Sequence, residues 1–133
     1  MASVVADTHA ILWHLSSDPR LSAVARSAMR DAVASGSPVF VASVSVVEVI
    51  YLVEKGRLDP EALRVLKVSL KDPKFGLTIV PLDLSVAEAL EEIPRQLVPD
   101  LPDRVIAATA LALNLPLVSK DRRIQAAQIQ TLW

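Results

Sequence analysis

Four acidic side chains stand where a short apolar run gives way to a helix-forming segment. Asp7 follows Ser3-Val-Val-Ala6 and Glu48 comes after Val39-Phe-Val-Ala-Ser43. Asp103 opens Arg104-Val-Ile-Ala-Ala-Thr-Ala-Leu111, and Asp121 follows Leu115-Pro-Leu-Val-Ser-Lys120. If the apolar runs are parallel strands, all four carboxylates gather at one edge of the sheet, where open parallel sheets bind their ligands. Converging carboxylates suit hard divalent cations such as Mg²⁺ or Mn²⁺. The chain has no cysteine. Its two histidines, His9 and His14, are five apart and so do not share a helix face as ligands at i and i+4 would. A thiolate or histidine site is disfavoured.

Each acid also has an architectural explanation. Asp7, Asp103 and Asp121 can be helix N-caps, and Glu48, three residues after Ser45, completes a capping box. Ser85 and Glu88 make the same pattern and are assigned no function. Taken jointly the four acids say more, because caps alone would occur at both sheet edges and use serine or asparagine as often. Crowded, unpaired acids repel and raise one another's pKa, a cost that a cation removes. A cation there activates and orients water against a phosphodiester and offsets charge on the attacking and leaving oxygens. The chemistry that suits the pocket is phosphodiester hydrolysis without a protein nucleophile.

The elements that must position these acids alternate along the chain. Strands are expected at Ser3–Ala6, Val39–Ala42, Leu77–Leu82 and Leu115–Ser119, with a short fifth at Ile129–Leu132. Helices are expected from Thr8 to Leu15, from a Ser22 cap to Val33, from Ser45 to Lys55, and from an Asp59 cap to Leu70. Two more run from Ser85 towards Pro94 and from Asp103 to Leu113. The last of these is apolar nearly all round and belongs at the centre of the packing. This order implies a three-layer α/β/α sandwich with a central parallel sheet of four or five strands. The whole of 1–133 reads as one domain.

At 52% hydrophobic but only 4% aromatic residues, the core must be aliphatic, and the surplus favours a subunit interface. A net charge of −1 gives no global attraction to nucleic acid, so phosphate binding must come from local clusters. No run of about 18 apolar residues reads as a membrane span. The start lacks the basic segment of a secretory signal, and a cytoplasmic location is expected.

Pro102-Asp-Arg-Val-Ile-Ala-Ala-Thr-Ala-Leu111 followed by Leu117-Val-Ser-Lys-Asp121 resembles the PIN-domain family, particularly the VapC-type toxins of bacterial toxin–antitoxin pairs. Val4-Val-Ala-Asp-Thr8 and Ser43-Val-Ser-Val-Val-Glu48 extend the resemblance over essentially the whole chain. The resemblance implies an Mg²⁺- or Mn²⁺-dependent endoribonuclease, neutralised by a VapB-like antitoxin and forming homodimers. It assigns Asp7, Glu48, Asp103 and Asp121 as the metal-holding acids, and Thr8 and Ser119 as small hydroxyls that orient a carboxylate or water. Asp100 stands as second shell, ligand or loop residue. Arg104, Lys120, Arg122 and Arg123 lie close enough to the acids to guide RNA phosphates. Trp133 can pack on the core edge or at a dimer surface.

Two other functions compete. A phosphoacceptor signalling domain would need paired acids after the first strand and an aspartate after the third. Asp83 fits the second requirement, but Asp7 has no acidic neighbour. A non-catalytic module that kept the fold would have no reason to keep all four acids.

Overall fold

In the computed structural model, which describes residues 2–133, five short strands form one parallel sheet. They are β1 (Val4–Ala6), β2 (Val39–Ala42), β3 (Leu77–Val80), β4 (Leu117–Val118) and β5 (Thr131–Leu132). Seven α-helices connect them: α1 (Thr8–Ser16), α2 (Ala23–Ala34), α3 (Ser43–Glu54), α4 (Pro60–Lys71), α5 (Leu84–Leu90), α6 (Leu101–Leu113) and α7 (Arg122–Ala126). The strand order is β3-β2-β1-β4-β5, so the direction of winding reverses between β1 and β4. A phosphoacceptor domain of the signalling type has the order 2-1-3-4-5, and that reading is therefore excluded by topology.

The three central strands, β1, β2 and β4, are buried on both faces, as their near-continuous apolar runs require. Alternation sorts their side chains into two cores. Val4 and Ala6 of β1, Val39 and Val41 of β2 and Val118 of β4 pack with helices α1 to α4. Val5, Ala42 and Leu117 point the other way, to α5, α6 and α7. These are the three layers. Helix α6 is central as expected, with Val105 to Ala110 all buried.

Three helix starts differ from expectation. Helix α3 follows β2 directly; its N-cap Ala42 offers no side-chain bond, and Ser45 is fully buried in the helix rather than capping it. Glu48 therefore lies in the second turn, not the first. Helix α5 is capped by Asp83, which accepts from the Val86 N–H at 3.1 Å, so Ser85 and Glu88 form no capping box. Helix α6 begins at Leu101, with Asp100 as N-cap and Pro102 in its first turn. Asp103 is the third residue of that helix. Asp121 caps α7, a helix of five residues that the charged sequence does not announce.

Candidate metal centre at the carboxyl edge of the sheet

The strand ends at the β1/β4 switch point set the first wall of the site. Asp7 follows β1 in extended conformation and caps α1, its carboxylate accepting the Ala10 N–H at 2.9 Å. Ser119, just past β4 and 1% exposed, hydrogen-bonds the same carboxylate. The Ser119 oxygen also accepts the N–H of Asp121 at 3.1 Å. One serine thus ties Asp7 to the start of α7. Asp121 in turn accepts the Arg123 N–H at 2.9 Å.

The second wall comes from α3 and α6. Thr8, buried at the start of α1, donates to Glu48 Oε1 at 2.6 Å and lies 3.0 Å from the buried Ser45 hydroxyl. Threonine has one hydroxyl proton. If the shorter contact takes it, Ser45 is left to donate to Thr8. This Ser45–Thr8–Glu48 relay fixes where the glutamate points. Asp100 holds the first turn of α6 by accepting the Asp103 N–H at 3.1 Å. Glu48, Asp100 and Asp103 each offer a carboxylate oxygen, and the three lie within 4.8 Å of one another.

Both walls open onto a cleft of about 650 Å³ lined by Asp7, Glu48, Asp100, Asp103 and Asp121. All four acids expected from sequence share it, and Asp100 joins them. Asp103 carries the strongest electrostatic signature: burial pushes its carboxyl up to about 7, reinforced by Asp100, Glu48, Asp121 and Asp7. Asp7 is also raised, chiefly by burial, against the opposing hydrogen bonds from Ser119 and the Ala10 N–H. The ion pairs found among the described residues, Arg20–Asp18 and Arg64–Glu61, lie outside this cleft. An all-oxygen donor set whose carboxylates make none of those ion pairs fits a hard divalent cation.

Lys120, Arg122 and Arg123 stand on the rim of the cleft. Arg104 does not. Its guanidinium donates to the carbonyls of Ile93 at 2.9 Å and Leu90 at 3.1 Å, tying α6 to the end of α5. Arg104 thus has a structural role at the α5–α6 junction and does not line the cleft. His14 is half-buried, with its pKa lowered by burial and Arg30. His9, Trp13 and Trp133 line the cleft, a wall the sequence did not announce. The spacing of His9 and Trp13, i and i+4 on α1, is the one signal that pairs two of them.

A sequence profile of the family described as "PIN domain" matches residues 4–129. Ribonuclease VapC22 of Mycobacterium tuberculosis (strain ATCC 25618 / H37Rv) is 32% identical over 126 residues, covering 95% of this chain and 92% of that protein. Among solved structures, VapBC2 from Rickettsia felis bound to a DNA fragment from its promoter superposes with a TM-score of 0.72 at 16% identity, over 98% of this chain and 97% of that one. FitAcB from Neisseria gonorrhoeae gives 0.64 at 22% identity, over 98% and 96%. At these identities the solved structures support the fold.

Proposed function

Because the chain belongs to the PIN-domain family, we propose that it is an Mg²⁺- or Mn²⁺-dependent endoribonuclease acting as the toxin of a toxin–antitoxin pair. The observation that carries this reading is the convergence of Glu48, Asp100 and Asp103 within 4.8 Å, in one cleft with Asp7 and Asp121. Asp7, Glu48, Asp103 and Asp121 are assigned to the cation, with Asp100 holding the α6 start and adding negative charge beside it. The bound cation would supply water activation and charge stabilisation at the scissile phosphodiester. Thr8 and Ser119 fix the carboxylates to which they donate, as outer-shell partners of metal ligands do. Lys120, Arg122 and Arg123 offset the acidic rim so that a polyanion can approach.

The test is cleavage of single-stranded RNA by the purified chain with Mg²⁺, with EDTA, and with an Asp103→Asn variant. Cleavage is expected with Mg²⁺ alone. Equal cleavage in EDTA or by the folded variant would refute the metal assignment.

A VapB-like antitoxin is the expected protein partner, supported by the name of the curated relative and the toxin–antitoxin complexes among the structural neighbours. A homodimer is supported by exposed Val47 and Tyr51 on α3, Leu82 after β3, Leu84 at the start of α5, and Leu101 at the start of α6. The Ser43 hydroxyl, accepting the Leu82 N–H at 3.2 Å, brings the first two of these surfaces together. Gel filtration should give an apparent mass near twice 14.4 kDa; a monomer at micromolar concentration would contradict the dimer. Among the described residues, no helix is long and apolar enough to cross a membrane.

A further inference from the structure

We propose that the aromatic wall of the cleft, Trp133 backed by Trp13 and flanked by His9, is a stacking site for one base of a single-stranded RNA. This rests on the ribonuclease reading of the neighbouring carboxylates. Trp13 is only 7% exposed and its surroundings are committed. His9 lies 5.5 Å from it and Trp133 5.9 Å, centroid to centroid, both tilted. Arg20 sits 4.7 Å and Lys120 4.9 Å from its ring centre. Trp13 is therefore scaffold.

Trp133 is in the opposite situation. The β5 pairing and the Ser119 N–H donated to the Leu132 carbonyl at 3.2 Å hold it in place, and its packing reaches the core of the α1–α4 layer. Yet it stays partly exposed, in a cleft it shares with Asp7 and Asp121. An indole buries well and gains little from a polar cleft. The carboxylates account for a cation, and Lys120, Arg122 and Arg123 for phosphates. Neither requires an aromatic face, whereas a nucleobase does: rings beside a basic track form the usual single-strand platform. Lys120 on Trp13 places a phosphate-attracting ammonium at the same wall. A peptide side chain is the competing occupant.

The test compares binding, in Ca²⁺, of a short single-stranded RNA and an abasic strand of equal length by the full-length chain. Wild type, Trp133→Ala and Trp133→Phe are used, with kcat and KM for RNA cleavage measured in Mg²⁺. Wild type should prefer the base-bearing strand by roughly 5- to 100-fold. Trp133→Ala should abolish that preference and raise KM with little change in kcat, and Trp133→Phe should restore most of both. Equal binding of the two strands by wild type would overturn the base site, and that measurement needs no variant. So would a Trp133→Ala protein that keeps wild-type RNA affinity while losing only an antitoxin peptide. If Trp133 governs base binding but wild type cleaves no RNA, the nuclease reading falls and the base site stands. If wild type cleaves and Trp133→Ala has an unchanged KM, the base site falls alone.

Discussion

The two walls of the cleft hold their carboxylates by opposite means. Asp7 is over-determined: it caps α1, accepts from Ser119 and sits in burial that raises its pKa. Hydrogen bonds therefore offset part of what burial costs its charge. Asp103 has no such compensation, because Asp100, Glu48, Asp121 and Asp7 all add to its burial and drive it up to about 7. One wall is built to orient a charge, and the other leaves charges in mutual repulsion until a cation arrives. A metal centre needs both, a fixed ligand to define position and an unrelieved cluster to supply binding energy.

The largest effect should appear in activity, where the two walls behave alike. Asp7→Asn and Asp103→Asn should each lower RNA cleavage about 10³-fold, since metal assistance contributes several kcal/mol to such a reaction. If only one of them did so, in a steady-state assay with both proteins folded, the walls would not form one site. The relay behind Glu48 should matter less. Thr8→Val removes the 2.6 Å bond and should cost roughly 10- to 100-fold in metal affinity or activity, as loss of an outer-shell partner does; wild-type values would show that Glu48 needs no positioning.

Stability should then separate the walls. Asp7→Ala should be about 1 kcal/mol less stable than Asp7→Asn, because asparagine keeps the cap. Asp103→Ala and Asp103→Asn should agree within about 0.5 kcal/mol, since Asp103 caps nothing. The walls should differ in pH dependence as well. Asp103 holds its proton more tightly folded than unfolded, so its contribution to stability is present below about pH 4 and is lost as pH rises towards about 7. In EDTA, thermal melts of wild type minus Asp103→Asn should fall over that window. Mn²⁺ should restore the difference by displacing the proton. A flat difference curve would mean that the Asp103 charge is already compensated.

Much of this was legible in sequence because it depends on local signals. Apolar runs bounded by turns marked five strands, and strand-then-acid order placed Asp7 and Asp121 at the right edge. The misplaced helix starts came from weighing short motifs alone. Ser45 has the spacing of a capping box, but β2 runs straight into α3, and the hydroxyl meets Thr8, 37 residues away in sequence. Asp100-Leu-Pro102 carried a usable signal, since proline in the first turn points to a cap just before it, as Asp59-Pro60 does for α4. Arg104 looked like a phosphate contact only because the carbonyls of Leu90 and Ile93 could not be placed beside it. The Trp13–Trp133 contact joins the first helix to the last residue of the chain, and periodicity carries no information across that distance.

The most direct test of the central claim, that the unrelieved acidic cluster is a cation site, is calorimetric titration of Mn²⁺ into wild type and Asp103→Asn near pH 7.5. Both folds would be checked by circular dichroism. Wild type should bind saturably with proton release, and the folded variant should not bind. No binding by wild type, or equal binding by both, would contradict it.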